Sequence, residues 1–258
     1  MLISSLHGQI CSTSPYNKVI LEAISSMPQG GGYSTSRTAM ERLQHSVTLS
    51  NGKLLLDPRV AEPSFCSEAV YLVFLKIVFL LQERRELDLN EINLAALLPK
   101  SQPDGEGIWG RWNANGPGVA CLFHKAGLGE NFVDLEQAQP GDFLKIFWNN
   151  SLGSTEHGHL VVYLGHEKIN NIEMIHFWSS NQGVGYGDKW VRLSSMKYLL
   201  FSRLSNPSAL LTISTKLPRS DSYLASLLVK TTTWEEVKQR CGIKKLLFHP
   251  NQSSRYLL

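Results

Sequence analysis

The sequence predicts an α+β domain, and three observations carry that reading. Apolar residues recur at helical spacing through the first half of the chain. Short apolar runs bounded by Gly, Pro and Asn take over from Phe143 onward. The connections between those runs are short, which suits antiparallel pairing, and helices followed by strands is the α+β order.

Asn17 to Met27 reads as a first helix. Gln29 to Tyr33 is expected to be a loop, because three successive glycines carry a large backbone entropy into any regular element. Ser36 is placed to cap a second helix reaching Ser46, with Met40, Leu43 and Val47 at helical spacing. Lys53 to Leu56 is a short strand ended by Asp57-Pro58. The next helix opens near Cys66, with Ser64 as N-cap, Pro63 before it and Glu68 in its first turn, and runs to about Arg85. Val70, Leu72, Val73, Phe74, Ile77, Val78, Leu80 and Leu81 cover all its sides, so it should be central and buried.

Asp88 to Leu98 is another helix, stopped by Pro99. Ser101 to Gly118 is a long polar and aromatic loop, of a length that in compact domains usually serves function. Trp109, Arg111 and Trp112 argue against disorder there. A short helix from Val119 to Ala126 ends at Gly127. Strands follow at Phe143–Trp148, His159–Leu164, Glu173–Trp178, Lys189–Leu193 and Leu199–Leu204. Beyond Asn206-Pro207, Asp221–Val229 and Thr233–Cys241 read as helices ahead of a polar, frayed end. The expected division is a main domain at 1–205 and a C-terminal helical extension at 206–258.

Composition narrows the function. The 258 residues are 43% hydrophobic and 18% charged, enough for a sizeable core. A net charge of +3, with scattered basic residues and Lys244-Lys245 as a short densest cluster, does not indicate nucleic-acid binding. The four cysteines lie far apart with no CxxC pair, which argues against structural zinc and against a disulfide framework and fits a reducing compartment. Met1 to His7 lacks the basic and apolar regions of a secretory signal, so synthesis in the cytoplasm is expected. The apolar run from Ala69 to Leu81 is too short to span a bilayer, which takes about 20 residues.

The chemistry concentrates in two places. Cys66 stands where a long helix begins, and the partial positive charge of a helix N-terminus lowers a thiol pKa. His159 opens a buried strand downstream, in Glu156-His157-Gly158-His159-Leu160-Val161-Val162-Tyr163-Leu164-Gly165. An imidazole beside a thiol completes its activation and later protonates a leaving amine.

Cys66 on its helix, Pro140-Gly141-Asp142-Phe143-Leu144-Lys145-Ile146-Phe147 and Gly158-His159-Leu160-Val161-Val162-Tyr163-Leu164-Gly165 together resemble the NlpC-type branch of papain-like cell-wall peptidases. That family has a cysteine entering a helix, a "PGDLVFF"-like strand, an "HVGIYLG"-like strand beginning with its histidine, and a further strand with a third polar residue. The resemblance covers about Ser64 to Leu204. It implies a papain-like fold, in which a central nucleophile helix packs with the N-terminal helices on an antiparallel sheet. It also implies a cysteine peptidase or amidase acting on peptide bonds of bacterial peptidoglycan, with no metal or organic cofactor. The chain departs from the family at Phe65, where an aspartate is usual.

Within this frame Cys66 is the expected nucleophile. Cys121 is the rival, but its apolar neighbours suit a core thiol. His159 matches the family's histidine; His157 shares its strand face. The third member should orient the imidazole from the strand Met174 to Asn181. His176 matches the family position there, and Asn181 is the alternative. Trp109, Trp112, Asn113 and Asn115 are the expected cleft lining, against a reading in which the tryptophans only pack the loop down. A protein or lipid amide as substrate, or a non-catalytic binding module on the same fold, are the alternatives to peptidoglycan cleavage. An enzyme made without a signal would need a dedicated secretion partner, and an immunity partner could accompany it.

Overall fold

The computed structural model describes residues 14–243. The signal reading at Met1–His7, Cys11, Lys244-Lys245 and the polar end lie outside the described residues. The architecture is α+β with a large antiparallel sheet. Its strands are β1 (Gly30–Gly31), β4 (Gly129–Phe132), β5 (Phe143–Phe147), β6 (Gly158–Ile169), β7 (Ile172–Asn181), β8 (Gly185–Arg192) and β9 (Tyr198–Leu204), in the order β1-β8-β7-β6-β5-β9-β4. A separate hairpin pairs β2 (Val47–Ser50) with β3 (Lys53–Leu56). The helices are α1 (Pro15–Ser25), α2 (Arg37–Ser46), α3 (Cys66–Glu83), α4 (Glu91–Leu97), α5 (Trp109–Trp112), α6 (Gly118–Ala126), α7 (Ile213–Lys216), α8 (Ser222–Ser226) and α9 (Trp234–Arg240).

Helix α3 is the central element, as its all-round apolar sequence requires. Twelve of its residues are buried, from Ser67 to Leu81. It packs with α1 against the sheet face carrying Phe143, Leu160, Val162, Trp178 and Tyr186. The alternate residues Leu144, Ile146, Val161, Tyr163, Ile175 and Phe177 build a second core on the other face. Asp142 anchors the start of β5: Arg203 grips both of its oxygens, at 2.9 and 2.6 Å, and Asn17 donates to it at 2.9 Å.

Several expectations are corrected. Gly30–Gly31 is not only loop but a two-residue edge strand on β8. The approach is too close for side chains, since a Cβ on Gly185 would stand 2.0 Å from the Gly30 carbonyl oxygen. The N-cap of α3 is Phe65, with extended backbone, and Ser64 lies one residue outside. The 101–118 loop contains one helical turn, α5, because Trp109 and Trp112 must bury their rings. Val47 leaves α2 to begin β2, and β4 adds an edge strand not read from the sequence. Strand β7 runs on to Asn181, three residues past its expected end.

Among the described residues, 206–243 form no separate core. Leu210 and Ile213 belong to the main cluster. Tyr223, Leu224, Leu227, Val237 and Cys241 pack with Phe147, Leu200, Ala120 and Cys121.

Candidate active site

Cys66 is the first residue of α3, so its N–H has no intrahelical acceptor. The entry to the helix is held from three sides. The Ser64 carbonyl accepts from Ser34 N–H at 3.2 Å and from the Ser180 hydroxyl at 2.7 Å. The Glu68 carboxyl accepts the Phe65 N–H at 3.2 Å. These bonds tie the cysteine to the end of β7 and to the segment after the glycine run.

His159 sits at the start of β6, where Ile146 on β5 is its register partner. Val162 pairs with Trp178 on β7, and counting three residues further along the antiparallel ladder sets His159 opposite Asn181. There His159 Nε2 lies 3.3 Å from Asn181 Oδ1, and Phe177 packs edge-on against the imidazole. The Asn181 nitrogen donates to the Ser179 and Gly187 carbonyls at 3.3 and 2.8 Å, so its oxygen must face the histidine. With Nε2 committed, Nδ1 is the ring nitrogen left for the thiol.

Burial by itself pushes the Cys66 thiol up, but four contacts outweigh it. They are the hydrogen bond and charge of His159, the Leu160 backbone N–H and the charge of Lys145, and the thiol comes down to about 7. Lys145 lies on β5 and pairs with Glu156 at 2.7 Å. Glu156 also accepts the N–H groups of Gly116 and Gly153, at 2.5 and 3.0 Å. The Tyr33 hydroxyl, brought in by the bridge from Tyr33 to Ser64, interacts with the Cys66 sulfur. Burial first, then the neighbouring Cys66, pushes that phenol up to about 12, so it stays protonated and can donate. Glu68 is fully buried two residues after the cysteine, and burial pushes its carboxyl up to about 8.

A cleft of about 340 Å³ opens at Cys66, lined by Tyr33, Asp104, Asn113, Asn115, Lys145 and Glu156 among others. A second hollow of about 520 Å³ opens on the His159 side, with Trp148, His157, Asn181 and Lys189. Tyr33, Glu156 and Gly158 line both, so the two hollows adjoin, with Cys66 on one and His159 on the other. This arrangement can hold a thiolate beside an imidazole and offer donors to a developing oxyanion.

The residues singled out from the sequence fall as follows. Cys66, His159 and Asn181 come together. His176 does not join them: it is five residues back along β7, about 16 Å away, with its Nε2 2.7 Å from Asp188 and its ring stacked on Trp190. His157 is exposed on the far hollow. Asn113 and Asn115 line the cleft. Trp112 shows it one edge, while its Nε1–H bonds the Ser67 carbonyl at 3.1 Å. Trp109 is buried against Tyr71 and does not line the cleft, so it serves packing. Cys121 is a core thiol.

Tyr33, Lys145 and Glu156 were not read from the sequence. Lys145 carried a signal, since a charge in the middle of the apolar run Phe143–Phe147 needs a partner or a task. Tyr33 carried none, because only the tertiary bridge to Ser64 brings it to the sulfur.

Comparison of the chain with family models, with curated proteins and with solved structures gives no match. Among the described residues, no three His, Cys, Asp or Glu side chains converge as a metal-holding group. No helix among them is long and apolar enough to cross a membrane.

Proposed function

We propose that this protein is a papain-like cysteine hydrolase that cleaves an amide bond. The observation that carries the reading is the convergence of Cys66, His159 and Asn181 where two hollows adjoin. The Cys66 thiolate attacks the amide carbonyl, and His159 Nδ1 delivers its proton to the departing amine. A water deprotonated by the same nitrogen then releases the acyl group from sulfur. Asn181 holds the imidazole so that Nδ1 faces the sulfur. The Cys66 N–H and the Tyr33 hydroxyl are the donors to the oxyanion.

The peptide portion of bacterial peptidoglycan is the substrate class implied by the resemblance at Cys66, the β5 motif and the β6 motif. Two adjoining hollows, one at Cys66 and one at His159, suit an extended chain. The test is digestion of purified peptidoglycan and of a mixed peptide library, with new amines and fragments read by mass spectrometry. Fragments from the wild type and none from Cys66→Ala are expected. Undiminished fragment release by Cys66→Ala overturns the mechanism. Cleavage of the library alone transfers the reading to protein substrates.

A further inference from the structure

A second sulfur site lies away from the cleft. Cys121 on α6 and Cys241 at the end of α9 are both fully buried, and their sulfur atoms are 3.8 Å apart across 120 residues of chain. The two sulfur atoms are in van der Waals contact, and a disulfide would draw them to about 2.05 Å. The backbones are already clamped together. The Asn131 side-chain nitrogen donates to the Ala120 carbonyl at 2.7 Å and to the Cys241 carbonyl at 2.9 Å. Its oxygen accepts from the Ser202 hydroxyl at 2.7 Å, which fixes the amide's orientation. Cys66 is the other described cysteine, and it stands at the cleft.

We propose that Cys121 and Cys241 are an intramolecular disulfide site, oxidised by a small disulfide such as oxidised glutathione. One cysteine, as thiolate, attacks the small disulfide, forming a mixed disulfide and releasing one glutathione thiolate. The second cysteine, as thiolate, attacks the protein sulfur of that mixed disulfide and releases the second glutathione. Two protein thiols thus become one disulfide while oxidised glutathione becomes two reduced molecules. Burial pushes the Cys241 thiol well up in the folded chain, and neither sulfur is accessible, so the exchange proceeds during folding or when α9 lifts. The bond ties the C-terminal segment to α6. Both ends matter to the cleft, since Leu228 of that segment and Gly118 and Val119 of α6 line it. Oxidation of this pair leaves the Cys66 thiol untouched.

The test is refolding of the full chain in a glutathione redox buffer, acid quenching, alkylation with N-ethylmaleimide in denaturant so that buried thiols are reached, and peptide mapping without reduction. A Cys121–Cys241 linked peptide is expected. The thermal midpoint should stand about 10 °C above that of the dithiothreitol-reduced chain, the effect of closing so long a loop. Cys241→Ser should remove the linked peptide and the redox-dependent shift together; Cys121→Ser is the matching control. If both thiols carry N-ethylmaleimide while Cys66 in the same sample carries glutathione, the proposal is overturned. Linkage of either cysteine to Cys11 or Cys66 overturns it as well.

Discussion

Asn181 Oδ1 stands 3.3 Å from His159 Nε2, and the asparagine has no freedom to present anything else, because its nitrogen is spent on the Ser179 and Gly187 carbonyls. The neutral imidazole therefore keeps its hydrogen on Nε2 and its lone pair on Nδ1. That tautomer is the one able to accept the proton of Cys66.

Removing the partner should release the ring. Asn181→Ala is expected to slow alkylation of Cys66 by iodoacetamide about 10-fold at pH 6, as the thiol drifts back toward its ordinary pKa of about 8.5. His176→Gln should leave the rate within twofold, because His176 bonds Asp188 and stacks on Trp190 instead. Equal loss in both variants would contradict this assignment.

The thiol's own titration has a definite sign. Its pKa is depressed to about 7, so the reactive thiolate is present above that pH and lost as pH falls through it. Alkylation against pH should be half-maximal near 7 in the wild type. In Lys145→Met the midpoint should move up, with the loss of one favourable charge. The same variant should lose about 3 kcal/mol in urea unfolding, because Glu156 is left as a nearly buried carboxylate without its cation.

Glu68 makes stability itself depend on pH. Its carboxyl is raised to about 8 by burial, so the folded state holds a proton that the unfolded chain releases near pH 4.3. The stabilisation is complete below the unfolded value and is lost as pH rises through about 8. Glu68→Gln keeps a neutral acceptor for the Phe65 N–H. Its unfolding free energy should be flatter between pH 5 and pH 8 than that of the wild type. Parallel curves for the two proteins would show that Glu68 is ionised throughout.

Asp142 tests the anchor of β5. Its carboxylate is fully buried and accepts two bonds from Arg203, one from Asn17 and one from the Gln139 N–H. Asp142→Asn removes the buried carboxylate from the Arg203 pair, leaving the exposed Glu130 at 3.5 Å as a weaker ion pair, and turns a donor toward other donors. A loss of about 3 kcal/mol in chemical unfolding is expected. Because β5 carries Lys145 and pairs with the start of β6, Cys66 reactivity should fall in the same variant.

Much of this was legible from local pattern. The helix opening at Cys66, its burial on every side, the Gly127 end of α6 and the strands at Phe143 and His159 follow from residue spacing and turn chemistry. The third site member was less legible for a physical reason. Strand alternation tells which face a residue takes, and it correctly set His176 and Asn181 on opposite faces, but it does not tell how far a strand continues. Ser179, Ser180 and Asn181 are poor strand formers. They extend β7 because Ser179 donates to the Leu160 carbonyl and Ser180 to the Ser64 carbonyl, both long-range bonds.

The sequence by itself determined the α+β class, the helix that opens at Cys66 and the strand that opens at His159, since helical periodicity, strand alternation and capping act over a few residues. The tertiary structure alone decided that Asn181 rather than His176 meets His159, that Tyr33 and Lys145 reach Cys66, and that Cys121 lies against Cys241. Each of these is a meeting of side chains 20 to 120 residues apart. Such meetings depend on strand register and on how α3, α6 and α9 pack, which no local pattern encodes.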